Sequence, residues 1–296
     1  MPSWGNILNE LNSQNENNRI NFLNQQRRRY IQEIKNITNR NVIAYYSAFL
    51  QKPAVGDTAI NDKDINALME NIHGLYKDRG LDLILHTPGG DITATEKIIN
   101  YLQSSFNDDI RVIVPQMAMS AGSLISVSCK EIIMGKQSCL GPFDPQIGGI
   151  ACQSLIKEFE QAKEDIKNNP HALGLWQVIV SKYHPTLLMS CNQAISLSDD
   201  LAKRLLQKTI QKEEDVKRIL DKFNNNDNSK THSRHISKEE CKQVGLNISD
   251  LENNQSLQDA VLSLHHCYML MFDMTQAVKI VENNNSGCYM INLRTQ

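Results

Sequence analysis

Two short glycine-containing segments carry residues that could together perform acyl transfer. TPGGD (87–91) follows a predicted strand and opens a helix, and its adjacent glycines permit a sharp turn that presents bare backbone N–H groups. In MAMSAGS (117–123), small residues flank Ser120, whose hydroxyl would lie at a helix start beside free N–H groups and a partial positive charge. An accessible hydroxyl and backbone donors for an oxyanion are what acyl transfer requires.

Each segment also has a simpler structural interpretation. Ser is a common N-cap residue, and from spacing alone this role for Ser120 stands slightly ahead of a chemical one. TPGGD could be a plain strand-to-helix turn, because the sequence lacks the GxGxxG and GxxxxGK[ST] spacings of nucleotide-binding loops.

The elements around the two segments predict a parallel sheet. From residue 41 the pattern alternates between strands and helices; the strands are predicted at 42–49, 81–86, 110–116 and 130–135, and the helices at 62–78, 91–105 and 120–129. Strands separated by helices of this length imply parallel pairing with right-handed crossovers. Since ligands bind at the carboxyl ends of such strands, the Gly-Gly turn and Ser120 are predicted at the same sheet edge.

The remaining chain is predicted to be mostly helical. Residues 1–38 would form a separate polar helix that could pack on a neighbouring subunit, with Arg27-Arg28-Arg29 on its solvated face. The domain at 39–296 would carry a helical insertion at about 153–222, and its other predicted elements are an exposed Asn-rich loop (223–233), a last helix (about 256–281) and a final strand (288–293).

Composition narrows the function classes. The chain has 296 residues, 41% of them hydrophobic, and a formal net charge of −2, which gives no electrostatic reason to expect a nucleic-acid partner. The seven scattered cysteines show no metal-ligand spacing, so we expect free thiols in a reducing cytoplasm and no metal. No window approaches ~20 consecutive apolar residues and the N-terminus does not resemble a signal peptide, so no transmembrane segment is expected.

Six motifs together resemble the serine dehydrogenase proteinase (SDH-type) family, which is similar to signal peptide peptidase A and to the Clp protease proteolytic subunit. They run from about residue 30 to 290: LILHTPGGD, VPQMAMSAGS, LGPFDPQIGG, SKYHPTLL, HISKEECKQVGL and KIVENN. The resemblance implies an α/β, ClpP/crotonase-like fold of repeated β-β-α units with right-handed crossovers plus a helical subdomain. It also implies a homo-oligomeric serine peptidase that acts on peptides or proteins. Ser120 would be the nucleophile, and Gly90 and Ala121 would supply the oxyanion N–H groups. No dinucleotide fingerprint is present, so no cofactor is expected.

The resemblance leaves the general base open. The Clp subunit carries a His in the segment that corresponds to GPFDPQ, which has none here. One solution is a Ser–Lys dyad like that of signal peptide peptidase A, for which Lys182 would have to be desolvated. The other is a rearranged triad in which Asp144 and His232 exchange segments relative to the Clp subunit, with His235 as a fallback. We favour the Asp144–His232 pair because both residues lie in segments that match the family.

Two functions of other classes remain open from sequence. A crotonase-type enzyme acting on an acyl-CoA would use the same oxyanion donors, and Ser120 would then be incidental. A catalytically inactive homologue would bind peptides or partner proteins as a scaffold.

Overall fold

Strands and helices alternate through much of residues 4–293, the part of the chain that this computed structural model describes. The helices are α1 (Trp4–Asn12), α2 (Glu16–Thr38), α3 (Asp64–Ile72), α4 (Ile92–Phe106), α5 (Ala121–Val127), α6 (Cys152–Asn168), α7 (Leu173–Val180), α8 (Leu187–Thr209), α9 (Glu213–Phe223), α10 (Asn226–Ser229), α11 (Lys238–Gln243) and α12 (Gln255–Met274). The strands are β1 (Asn41–Ser47), β2 (Leu81–His86), β3 (Ile110–Val114), β4 (Met117–Ala118), β5 (Glu131–Met134), β6 (Cys139–Leu140), β7 (Gln146–Ile147), β8 (Ile150–Ala151), β9 (Ile236–Ser237), β10 (Ile248–Asp250), β11 (Ala277–Asn283) and β12 (Cys288–Asn292).

The chain divides into two units, of which the first joins the residues up to Gly141 to those from His235 onward. Its main sheet has the order β10-β5-β3-β2-β1-β11-β12. The pairs from β10 to β1 are parallel, whereas β11 and β12 add antiparallel strands at one side. The predicted mixed α/β fold with a mostly parallel central sheet is confirmed. The handedness of the crossovers and the repeated β-β-α unit stay predictions.

One predicted element at the C-terminal end is wrong. The last helix ends at Met274 rather than near residue 281, and all but the final residue of KIVENN belongs to β11, which pairs antiparallel with β1. The residues of β11 are all buried, and Val278, Ile280 and Val281 are β-branched, which suits a strand packed on both faces.

The N-terminal residues form two helices, α1 and α2, rather than one. Leu23, Arg27, Ile31 and Ile34 recur at helical spacing on α2 and are all buried. Arg27 therefore does not lie on a solvated face, as predicted, but forms an ion pair with Glu282 (Nε to Oε1, 2.6 Å). Arg28 and Arg29 are exposed, as expected. The separation of residues 1–38 as a domain stays a prediction.

A second, smaller sheet of the first unit adjoins the helix that Ser120 precedes. Its order is β4-β6-β9, with β4 parallel to β6 and β6 antiparallel to β9. Ala118 pairs with Leu140, and Leu140 pairs with Ile236, so the three strands are aligned in one row. Met119 alone separates Ser120 from the end of β4.

The second unit, Pro142–Arg234, is predominantly helical. It contains α6 to α10 and the β7–β8 hairpin, whose two loop residues Gly148 and Gly149 have φ of +61° and +80°. The Asn-rich segment predicted as an exposed loop is partly buried and partly helical, since Phe223 and Asn224 are buried and α10 spans Asn226–Ser229. Among the helices of residues 4–293, none combines the length and the apolar content needed to cross a bilayer.

Candidate active site

Ser120 has the backbone conformation of a strained turn. Its φ of +51° and ψ of −119° lie in a region that residues with a Cβ rarely adopt, at a cost of about 1–3 kcal/mol. Although Ser120 occupies the N-cap position of α5, its side chain makes no capping hydrogen bond. The simpler N-cap role is therefore absent, and the half-buried hydroxyl is left available at a strand-to-helix turn, as in a nucleophile elbow.

The Gly-Gly turn packs against the backbone of Ser120. A Cβ on Gly89 would lie 2.6 Å from Ser120 Cβ and 2.8 Å from the Ala121 nitrogen, so only glycine fits. Two backbone hydrogen bonds join the turn to β4 and the residue after it: Thr87 N–H donates to Met117 O (3.3 Å), and Met119 N–H donates to Thr87 O (2.9 Å). The two segments singled out in the sequence thus form one structure.

Two backbone N–H groups, one in the Gly-Gly turn and one at the start of α5, are the oxyanion donors that the resemblance predicts. Ala121 begins α5, so its N–H has no intrahelical acceptor. Gly90 forms a parallel bridge with Ile60, in which Ile60 N–H donates to Gly89 O (2.7 Å) and Asp91 N–H donates to Ile60 O (2.9 Å). This pattern directs the Gly90 N–H away from Ile60. Within residues 4–293, neither the Gly90 nor the Ala121 N–H donates to a protein acceptor.

Ser123 fixes the first turn of α5 to the small sheet. Its Oγ lies 2.8 Å from Ala118 O and 2.7 Å from Gly141 O, and it accepts a hydrogen bond from Gly141 N–H at 2.8 Å. Ala118 ends β4 and Gly141 follows β6, so one buried hydroxyl ties together both strand ends and the helix that Ser120 precedes. Sequence reasoning missed Ser123, whose only indication was its place one helical turn after Ser120.

In the second unit, His232 and Asp144 form a hydrogen-bonded pair. His232 Nδ1 lies 2.9 Å from Asp144 Oδ1, the Asp144 side chain is fully buried, and the His232 ring is about one-quarter exposed. Asp144 Oδ2 accepts a further hydrogen bond from Asn226 Nδ2 at 3.0 Å. A carboxylate that accepts Nδ1–H leaves the Nε2 lone pair of the neutral imidazole free to take a proton.

Asn226 is in turn held by two neighbours. Its backbone N–H donates to Gln153 Oε1 (2.5 Å), and its side-chain Oδ1 accepts from Ser154 Oγ (2.8 Å). These contacts fix the amide that orients Asp144. Asn226 was hidden from sequence reasoning because it lies in an Asn-rich stretch, where one functional asparagine looks like its neighbours.

Comparison with known proteins decides the family. Residues 14–279 match the family described as ClpP-like SDH-type serine proteinase. The chain belongs to this family. The resemblance drawn from the six motifs is thereby confirmed, and the family description points to a serine proteinase.

Two archaeal relatives of this SDH-type family member come from Methanocaldococcus jannaschii, and both are described as uncharacterized. The protein MJ0137 is 31% identical over 191 residues, which cover 64% of this chain and 60% of that protein. The protein MJ1495 is 30% identical over 228 residues, which cover 75% of this chain and 71% of that protein. The matched region therefore spans less than two thirds of the MJ0137 protein.

The two other candidates for the general base of this SDH-type chain are both exposed to solvent. Lys182 lies in the turn after α7 and is exposed, so the desolvation expected of a dyad lysine is absent. The helix before Lys182, α7, buries none of its own residues and so does not shield the lysine from solvent; the assignment of the base stays a prediction. His235, the fallback, is also exposed, immediately before β9.

Proposed function

We propose that this protein is a serine-type peptidase that cleaves peptide bonds through an acyl-enzyme on Ser120. The observation that carries the proposal is the strained backbone of Ser120, whose hydroxyl caps no helix and whose neighbours offer two free N–H groups. Strain of this kind persists only where the surrounding structure enforces it, and it concentrates at functional sites. Membership of a family described as serine proteinases supports the same chemistry.

We further propose that His232, oriented by Asp144, is the general base. The pair has the hydrogen bond that a Ser–His–Asp triad needs, whereas Lys182 is exposed. The Asp144 carboxylate is fully buried and also accepts a hydrogen bond from Asn226 Nδ2, so the group that orients the His232 ring is itself held in place.

The reaction then proceeds in two halves. His232 Nε2 takes the proton of Ser120 as Oγ attacks the peptide carbonyl, and the Gly90 and Ala121 N–H groups bind the resulting oxyanion. The imidazolium returns its proton to the leaving amine, the C–N bond breaks, and an ester to Ser120 remains. A water molecule, deprotonated by His232, attacks that ester. The bond between the carbonyl carbon and Ser120 Oγ breaks, His232 returns the proton to Oγ, and the acid product leaves.

The substrate class proposed here is a peptide or protein, and we propose that the chain assembles as a homo-oligomer in the cytoplasm. One feature supports assembly. None of the residues of α7 is buried, and Leu175 and Val178 are 64% and 62% exposed. A helix that is apolar all round is normally covered, so contact with a second copy would remove a costly exposed surface.

Labelling with a fluorophosphonate probe tests the nucleophile. We expect the folded protein to be labelled, Ser120→Ala to be unlabelled, and Ser104→Ala, which changes an exposed serine of α4, to behave as wild type. Absence of labelling in the folded wild-type protein would refute the peptidase proposal. A crotonase-type enzyme would instead turn over an acyl-CoA and keep that activity in Ser120→Ala.

The same assay identifies the base. We expect His232→Ala to lower the labelling rate by about 100-fold or more, and Lys182→Ala to leave it unchanged. The reverse pattern would assign the base to Lys182 and remove His232 and Asp144 from the mechanism.

A further inference from the structure

A buried ion pair contacts the chain segment that bridges to the Gly-Gly turn. Lys279 on β11 and Asp64 at the start of α3 are both essentially inaccessible, and Lys279 Nζ lies 2.7 Å and 2.9 Å from the two carboxylate oxygens. Tyr45 on β1 donates its hydroxyl to Asp64 Oδ2 at 3.0 Å. Nothing in the acyl-transfer chemistry uses these groups directly, yet burying two charges is costly unless the geometry is well satisfied.

The pair holds one short segment of chain, residues 59–61. Lys279 Nζ donates to Ala59 O at 2.9 Å, and Asp64 Oδ2 accepts from Asn61 N–H at 2.9 Å. Both ends of the segment are therefore attached to the charged pair. Burial lowers the pKa of Lys279, whereas the neighbouring Asp64 carboxylate opposes that change and favours the ammonium form.

The residue between these two anchors is Ile60, the partner of Gly90. Ile60 is itself buried, and its N–H and C=O make the two hydrogen bonds that bridge to Gly89 and Asp91. The fit is close, since a Cβ on Gly90 would collide with the Ile60 backbone. The orientation of the Gly90 peptide is thus set from behind by Ile60, and the position of Ile60 is set by Lys279 and Asp64.

We propose that Lys279 and Asp64 are positioning residues that hold the oxyanion turn, through residues 59–61, in the orientation that presents the Gly90 N–H. The proposal rests on the function proposed above, because it assigns these residues to the oxyanion donor of that reaction. A misplacement of about 1 Å at a reacting centre costs on the order of 100-fold in rate, so a loosened turn would be costly.

The test removes the pair without leaving a lone buried charge. In Lys279→Met/Asp64→Leu, apolar side chains of similar volume replace both groups, a change that is often neutral for stability. We expect kcat for an ester or peptide substrate and the fluorophosphonate labelling rate to fall by about 10- to 100-fold. KM and the midpoint of the pH–rate profile should stay unchanged, because the base is untouched.

A matched control exists on the same strand. Glu282, three residues after Lys279 on β11, forms a buried pair with Arg27 and accepts a hydrogen bond from Tyr268 Oη at 2.7 Å. Side chains three residues apart on a strand point to opposite faces, and the hydrogen bonds of this pair are to one another and to Tyr268 rather than to residues 59–61 or 87–91. Arg27→Met/Glu282→Leu should therefore keep wild-type rates at a comparable change in stability.

Amide hydrogen exchange of the peptide covering residues 87–91 provides a readout that needs no activity. We expect exchange there to accelerate in Lys279→Met/Asp64→Leu and not in Arg27→Met/Glu282→Leu. Unchanged exchange at 87–91, or wild-type labelling despite faster exchange, would overturn the positioning role. A wild-type protein without Ser120-dependent labelling would instead refute the proposed function, while the exchange result would still decide whether the pair holds the turn.

Discussion

The strained backbone of Ser120 predicts an unusual order of stabilities among its variants. At most positions a protein with Gly is less stable than the same protein with Ala, because glycine has more conformational freedom to lose on folding. At φ +51° and ψ −119°, however, any side chain beyond hydrogen is strained. Ser120→Gly removes that strain, whereas Ser120→Ala keeps it.

The magnitude follows from two opposing contributions. Relief of the strain is worth about 1–3 kcal/mol, and the greater freedom of the unfolded glycine chain costs about 0.4–1 kcal/mol. The Ser120 side chain makes no capping bond, so neither variant loses a hydrogen bond of that kind. We therefore expect Ser120→Gly to exceed Ser120→Ala in unfolding free energy by about 1–2 kcal/mol, although both variants lack the nucleophile.

Urea denaturation at 25 °C, followed by circular dichroism, measures this difference. Asn100 is the matched control, because it is exposed in the middle of α4 in the same unit. There Asn100→Gly should be less stable than Asn100→Ala by about 1 kcal/mol. If Ser120→Gly also had a lower unfolding free energy than Ser120→Ala, the backbone would not be strained at position 120, and the main support for Ser120 as nucleophile would be lost.

Three further predictions concern the turn, the core and the thiols. Gly89→Ala should lower fluorophosphonate labelling by about 100-fold, since its Cβ would lie 2.6 Å from Ser120 Cβ; wild-type labelling would show that the turn can move aside. Burial lowers the pKa of His86 from 6.5 to about 3, so unfolding takes up a proton below pH 6.5. The contribution of His86 to the free energy of unfolding is complete above pH 6.5 and is lost as the pH falls toward 3; at pH 5 the loss is about 2 kcal/mol. The free energy of unfolding of His86→Phe, measured by urea titration, should therefore depend less steeply on pH. Of the seven cysteines only Cys288 is exposed. Partial desolvation of its sulfur, together with the nearby Glu282 carboxylate, raises the pKa of this thiol to about 11, so a disulfide reagent should modify one thiol slowly in the native protein and none in Cys288→Ser.

Sequence reasoning succeeded where structure is local. The strands before TPGGD and before MAMSAGS were visible as short apolar runs, and the turn between strand and helix needs only neighbouring residues. Ser120, Gly90 and Ala121 all belong to such turns. It failed where a residue far away in sequence determines the local structure. Arg27 is buried because it pairs with Glu282, 255 residues further along the chain, and most of KIVENN forms a strand because β1 lies beside it.

The positioning residues escaped sequence reasoning for the same reason. Lys279 and Asp64 are separated by 215 residues, and neither carries a local pattern that distinguishes it from a surface charge. Asp144 and His232 are 88 residues apart and were paired only through the family resemblance. In each case the chemistry depends on a hydrogen bond whose two ends are set by the tertiary structure.

The nucleophile turn and the proposed base place different demands on the chain. An oxyanion hole made of backbone N–H groups exists only if the chain follows one path, so Gly89, Gly90 and Ser120 must stay in fixed order within their turns. A general base needs only an imidazole nitrogen near the nucleophile and a carboxylate at the other ring nitrogen. Either group can come from either of two segments, provided that both segments reach the same place. An exchange of Asp and His between the segments that hold Asp144 and His232 would therefore preserve the reaction while removing the motif by which the triad is usually found.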